Sequence, residues 1–222
     1  DMIPCVYGVQ DAPLTGEFCV FDTETTGLDP NVEYLTEIGG VIVKNGEVVE
    51  EFDTFVKPGK PITPKITELT GITNEMVADA PSEAEALQAF LDFAGGRILV
   101  AHNAHSFDIR FLRIAAKRSG ISFEPTYIDT LTMAQAMYPG LHNYKQGTIN
   151  KHLELPAYEA HRACEDAGAL GRIFCVMLKD LEEKQVTAVS GINTGQLLLQ
   201  KASCAPQPAE QVPRRPHPDL CL

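Results

Sequence analysis

The sequence holds no apolar run approaching the length of about 18 residues that would cross a membrane. Its N-terminus, DMIPCVYGVQDAP, lacks a basic region followed by an apolar core, so neither a transmembrane helix nor a secretory leader is expected. Six cysteines are scattered with no CxxC pair, which argues against a zinc ribbon and against a disulfide framework. A soluble protein of a reducing cytosol is the simplest expectation. No GxxxxGK[ST] loop is present, so nucleotide binding through a phosphate cradle is unsupported, and no internal repeat is visible. Basic residues are also scarce: 18 Lys and Arg stand against 30 Asp and Glu, a formal charge of −12. Phosphate-binding proteins normally show a basic patch. Bound divalent cations can invert a local acidic field, however, so the charge warns against a nucleic-acid partner without excluding one.

What is present is apolar content of 44% in 222 residues, enough for one full core with flanking segments. Residues 1–16 read as an extended lead-in, with CVYGV as a short edge strand. EFCVFDT at 17–23 suits a central strand buried on both faces. Two further β-rich runs flank Asn45-Gly46, a tight-hairpin signal, so the first three strands form a meander. Residues 57–73 read as loop with one helical turn near 65–69. A helix begins at Pro81-Ser82 and stops at Gly95-Gly96. Then follow a buried strand at 97–103, an amphipathic helix at 106–120, a short strand at 126–130 and helices over LTMAQAMY, QGTINKHL and about 162–183. The order predicts an α/β fold in which helices flank a mixed sheet. Residues 17–183 form the expected domain. From 184 to 222 a linker or disordered tail is expected, with five prolines after position 204.

The feature needing explanation is FDTETTG at 21–27. Alternation along a strand points Asp22 and Glu24 the same way, and two adjacent carboxylates repel unless a cation or basic partner lies between them. A solvated strand edge is the bland alternative. Two further acids fall at element ends, Asp108 in the first turn of the helix after RILVAHN and Asp166 in HRACED. Each alone is explained by the helix dipole or by solvation. Together the four offer oxygen ligands to a hard divalent cation, magnesium or manganese. On a continuous helix His161 and Asp166 would stand about 140° apart, so His161 can join them only if it precedes the regular helix. There it could accept a proton near neutral pH, or it is simply a helix-terminal histidine without consequence.

FDTETTGL, VAHNAHSFDIRFL and HRACEDAGAL resemble, in order, the three motifs of the DnaQ-like 3′-to-5′ exonuclease superfamily, in the branch with four acids and a histidine. The likeness spans about residues 17–180. PCVYGVQDAPLTGEF and FVKPGKPITPKITELTGIT resemble, more narrowly, the proofreading exonuclease domain of PolC-type bacterial DNA polymerase III. The resemblance implies a ribonuclease H-like fold with a mixed five-stranded sheet. It also implies two divalent cations, Mg2+ or Mn2+, held by Asp22, Glu24, Asp108 and Asp166, with Asp22 shared between them, Glu24 also on the cation that holds the water, and His161 as general base. Thr25, Thr26, Leu28, His102 and Asn103 fall where the family touches the terminal nucleotide. The implied partners are a single-stranded DNA 3′ terminus and a replicative DNA polymerase III assembly in the bacterial cytoplasm, with no membrane. An RNA-trimming exoribonuclease is the alternative within the same chemistry. A non-catalytic module docked on a polymerase is the alternative outside it, disfavoured because all five catalytic positions are kept.

The sequence departs from the family pattern in three places. VAHNAHSFD carries one residue more than the commoner spacing, with His105 the extra one, so a small bulge is expected before Asp108. The HxxH formed by His102 and His105 has no cysteine nearby to complete a zinc site. Ala160 stands where PolC-type sequences often have a second histidine, and the C-terminal 40 residues do not resemble a polymerase continuation.

Overall fold

A computed structural model describes residues 5–14 and 16–193. The Pro-rich tail expected after position 204 and the first four residues of the lead-in lie outside the described residues. The strands are β1 (Val6–Tyr7), β2 (Glu17–Thr25), β3 (Leu35–Lys44), β4 (Glu47–Phe55), β5 (Ile98–Ala101) and β6 (Tyr127–Asp129). They form one mixed sheet in the order β1-β6-β5-β2-β3-β4. β2, β3 and β4 are the expected antiparallel meander. β5 runs parallel to β2, and β6 parallel to β5. The sheet therefore has six strands rather than five. The additional one is the edge strand in CVYGV, which pairs Val6 with Ile128 and Tyr7 with Tyr127. Two residues are too few to show a period, which is why its pairing could not be counted from the pattern.

The helices are α1 (Pro64–Thr70), α2 (Asn74–Val77), α3 (Glu83–Ala94), α4 (Asp108–Ser119), α5 (Thr130–Met137), α6 (Gln146–His152), α7 (Ala163–Glu183) and α8 (Val189–Asn193). Local chemistry accounts for several ends. Ser82 and Glu85 close a capping box on α3, and Gly95 and Gly120 end α3 and α4 in the left-handed conformation. Asn45 and Gly46, both at positive φ, make the β3–β4 hairpin.

Alternation on the central strands splits the core in two. Phe18 and Val20 on β2, with Val41 and Val43 on β3, pack against Leu170, Ile173 and Phe174 of α7. Cys19 and Phe21, with Ile38 and Ile42, pack against α3 and α4 through Leu87, Phe90, Phe111 and Leu112. Residues beyond 17–183 share the first of these cores. Cys5 and Val6 are buried in it before that span, and Val186, Val189 and Ile192 after it. The four cysteines among the described residues, Cys5, Cys19, Cys164 and Cys175, are free thiols. Among the described residues no helix is long and apolar enough to cross a membrane.

One close approach sets the position of α7. Gly39 lies on the α7 side of β3, and a Cβ there would overlap the backbone of Ala163 and Cys164, the first turn of the helix. Helix and sheet touch through backbone at this point, so a methyl group has no flexible neighbour to displace. Gly39→Ala is expected to destabilise the fold by about 1–3 kcal/mol, the usual scale of overpacking. Urea-unfolding midpoints would show it, and an unchanged midpoint would mean that α7 can shift freely along the sheet.

Candidate active site

On β2 the side chains at 18, 20, 22 and 24 share one face, and that face changes character midway. Phe18 and Val20 are core, and Phe18 meets Phe174 edge-on at 5.0 Å. Two residues further the same row becomes Asp22 and Glu24. Gly39 lets α7 start directly above them, and the first turns of α7 bring Asp166 over the row. Ligand oxygens of Asp22, Glu24 and Asp166 lie within 4.8 Å of one another, all three residues half-buried. The bland alternative of a solvated strand edge fits poorly because Asp22 and Glu24, though beyond the β5 pairing, are half-buried, paired to β3 through Gly39 and Glu37 and covered by Asp166.

Asp108 enters from the other side. It opens α4, is only 2% exposed, and accepts a 2.7 Å hydrogen bond from the Thr23 hydroxyl, between Asp22 and Glu24 on the opposite face of the strand. Asp108 lies outside the 4.8 Å triple. After loss of solvation, however, its charge is the strongest influence raising the pKa of Asp22. His161 stands two residues ahead of α7, as its spacing from Asp166 requires. It adopts a positive φ of 73°, and its backbone amide donates to Asp166 Oδ2 at 2.7 Å. The His161 side chain also helps to stabilise the charge of that carboxylate.

The four carboxyls resist ionisation together. Burial, followed by repulsion from Asp108, Asp166, Glu24 and Glu37, holds Asp22 well above the usual carboxylate range. Burial and the charges of Asp166 and Glu37 push Glu24 up to about 8. Burial raises Asp108 to about 7 against the help of Thr23, and Asp166 to about 6 against the help of the His161 and Arg162 amides. The cations nearby, His161 beside Asp166 and Arg162 near Glu24, do not offset this. Arg162, which borders the set, is engaged with Glu37: Nη2 lies 2.6 Å and Nε 3.1 Å from Oε1. Half-buried oxygens, mutually repelling and close enough to share one ion, are a donor set suited to hard divalent cations.

Most of the residues expected near a terminal nucleotide have partners within the protein. The Thr25 hydroxyl donates to the Gly27 carbonyl at 2.6 Å. Thr26 bonds the Glu33 carboxylate and accepts from the Tyr34 amide, while Glu33 is held by Lys60 at 2.8 Å. Leu28 is half-buried in the same loop. The two ring nitrogens of His102 meet Thr130 Oγ1 at 3.0 Å and the Tyr144 carbonyl at 2.7 Å, and burial pushes its pKa down. The extra residue near His105 is taken up by a turn over 102–107 in which Asn103 has a φ of 64°. Asp129 holds that turn by accepting from the amides of Asn103 and His105. The His105 ring stacks on Tyr7 at 4.6 Å and bonds the Tyr127 hydroxyl at 2.7 Å, so the HxxH histidines serve the fold separately.

Sequence reasoning missed Glu37, Tyr158 and Gly39. Glu37 is the cross-strand partner of Glu24 and is 0% exposed. Only the strand register reveals it, since in the sequence it is one acid among many. Tyr158 lies in the approach to α7, hydrogen-bonded to Gln146 and Asp166. Burial and the Asp166 charge push its hydroxyl pKa upward.

With this geometry in place, comparison with known proteins is specific. The model of the RNase_T exonuclease family matches residues 19–174. The DNA polymerase III PolC-type of Caldanaerobacter subterraneus subsp. tengcongensis is 47% identical over 194 residues, which cover 87% of this chain and 14% of that polymerase. The chain thus spans about one seventh of such a relative. Exonuclease X in complex with 5′ overhanging duplex DNA is 25% identical, with a TM-score of 0.62 over 80% of this chain and 99% of its own. The nuclease domain of 3′hExo, a DEDDh family member bound to rAMP, shares the fold at 21% identity, with a TM-score of 0.66 over 75% of this chain and 93% of its own. A family match running from β2 into α7 takes in all four carboxylates and His161, and the chain belongs to the exonuclease family.

Proposed function

We propose that the chain is a metal-dependent 3′-to-5′ exonuclease that removes nucleoside 5′-monophosphates from DNA 3′ ends, as the proofreading unit of a replicative DNA polymerase III in the bacterial cytoplasm. The observation that carries this reading is the convergence of Asp22, Glu24 and Asp166 within 4.8 Å, joined by Asp108 from the other face and by His161 ahead of α7. The PolC-type relative supports the polymerase context. Asp22, Glu24, Asp108 and Asp166 would hold two divalent cations, Mg2+ or Mn2+. When bound, these would neutralise the phosphate, acidify a water and stabilise the departing 3′ oxygen.

In the hydrolysis, water oxygen bonds to phosphorus and the bond from phosphorus to the 3′ oxygen of the preceding nucleotide breaks. That nucleotide keeps a 3′ hydroxyl, its oxygen taking a proton from solvent, and the terminal one leaves with its 5′ phosphate. His161 is the proton acceptor for the water. Asp166 holds the His161 backbone through the amide, which fixes the ring's starting point beside the carboxylates. Thr25, Thr26, Leu28, His102 and Asn103 shape the wall for the terminal nucleotide. Thr25 and Thr26 do so through their loop, because their hydroxyls already have partners.

The assay is release of mononucleotides from 5′-labelled single-stranded DNA, from RNA of equal length and from duplexes with paired or mispaired 3′ termini, with and without Mg2+. The expected result is stepwise shortening of DNA from its 3′ end, faster at mispairs and absent in EDTA. Preferential trimming of RNA, or no product from any substrate, would overturn the reading.

The raised carboxyl pKa values give a separate prediction. A group whose folded pKa lies above its unfolded value stabilises the fold fully below the unfolded pKa, near 4 for ordinary carboxyls, and loses that contribution as pH rises through the folded value. Here the window runs through about 6 for Asp166, 7 for Asp108 and 8 for Glu24. In EDTA the melting temperature is expected to fall between pH 5 and pH 8.5. Added Mn2+ should raise it more at pH 8 than at pH 5, because ligation requires ionised carboxylates. Differential scanning fluorimetry tests both; a Mn2+ effect independent of pH would contradict the ligand set.

A further inference from the structure

We propose that Glu37 is a positioning residue of the hydrolytic site: its carboxylate pins the first turn of α7, and it sequesters Arg162 away from the neighbouring carboxylates. The inference rests on the reading of the site given above. A carboxylate with no exposure is retained only where it is fully partnered. Glu37 has such partners: besides Asp53 on β4, they lie at the start of α7. Oε1 accepts from Arg162 Nη2 at 2.6 Å, and Oε2 accepts from the Ala163 amide at 2.9 Å. Arg162 is the N-cap of α7 but makes no side-chain cap bond, so an acid on β3 supplies what the local sequence does not. Immediately before it, the His161 amide is tied to Asp166. Two successive residues, 162 and 163, are thereby fixed to the sheet, and the turn between His161 and Asp166 has little freedom left.

The second role follows from register. Glu37 pairs directly with Glu24 across β2 and β3, so Arg162 is held on the neighbour of a candidate metal ligand. The Arg162 side chain is 38% exposed, and its guanidinium lies over the Phe55 ring at 5.4 Å. It is close enough to Glu24 to ease that residue's ionisation. Freed from Glu37, it would find Asp53 and Glu24 as nearby anions and would compete at Glu24 with a divalent cation.

The test compares the wild-type chain with Glu37→Gln, Arg162→Lys and the double variant Glu37→Gln/Arg162→Gln. Mn2+ binding to the metal-free protein is read by calorimetry, exchange of the Ala163 amide by NMR, and kcat and KM on single-stranded DNA. Glu37→Gln keeps an acceptor for the Ala163 amide but releases Arg162. Its Mn2+ dissociation constant is expected to rise and its kcat to fall by about 10- to 100-fold, the usual cost of losing a group that orients metal ligands, with KM little changed. Arg162→Lys, which keeps the charge but lacks the fork, should move Mn2+ affinity in the same direction and accelerate exchange of the Ala163 amide. The double variant, with no loose cation, should recover about tenfold of the Mn2+ affinity lost by Glu37→Gln.

A double variant no better than Glu37→Gln would overturn the sequestering role and leave a plain helix anchor. Wild-type Mn2+ affinity and kcat in Glu37→Gln would overturn the proposal. If that variant does not fold, Arg162→Lys with wild-type Mn2+ affinity and wild-type Ala163 exchange does the same. A wild-type chain that binds Mn2+ but releases no nucleotide would refute the exonuclease reading instead, while the calorimetric and exchange comparisons would still judge Glu37.

Discussion

Asp22→Asn is expected to lower kcat on single-stranded DNA by about 10³-fold or more, the scale on which loss of a single electrostatic stabiliser is felt, and to leave the protein folded. Asp22 is the carboxylate repelled by all of Asp108, Asp166, Glu24 and Glu37, which makes it the centre of the acidic set. Asparagine preserves its shape and one acceptor while removing the charge. The stability effect has a defined sign. Asp22 is held well above the carboxylate range, so its ionisation opposes folding as pH rises, and asparagine abolishes that penalty. The metal-free variant should therefore melt above wild type, with the difference larger at pH 8 than at pH 5. Turnover equal to wild type would refute the site; lost turnover with a collapsed melting temperature would mean that Asp22 is structural.

His161→Asn is expected to cost about 10²- to 10⁴-fold in kcat, the range attributed to a positioned general base. Asparagine suits the test because, like histidine, it tolerates positive φ, so the backbone at 73° and its amide bond to Asp166 should survive. The ring alone is then removed. Mn2+ affinity measured by calorimetry should change less than about threefold, since His161 is assigned to proton transfer and not to ligation. If metal affinity falls together with kcat, His161 is a ligand and another group must accept the proton.

The parts of the fold that were legible in the sequence are those governed by short-range chemistry. The helix start at Ser82, the helix stops at Gly95 and Gly120 and the hairpin at Asn45-Gly46 act over a few residues, and each stands where the pattern placed it. The four acids and His161 were legible because they sit in three dense motifs, and the spacing of His161 from Asp166 already required that it precede α7. Long-range register was not legible. The role of Glu37 depends on β2 and β3 pairing Glu24 with it, and that of Gly39 on where α7 lands. The expected bulge near His105 became a turn because Asp129, 24 residues away, supplies a carboxylate to its amides. Likewise β1 gains its place from β6 rather than from any period of its own.

Outside the sheet, residues 10–14 and 187–190 are joined along their backbones. Leu14 donates to Thr187, Val189 to Ala12 and Ser190 to Gln10, and Pro13 and Ala188 form an antiparallel bridge. The segments entering and leaving the body therefore meet at one seam. Such a body behaves topologically as a closed loop: spliced between two neighbouring points of a larger chain, it would hold them together with no closure entropy left to overcome.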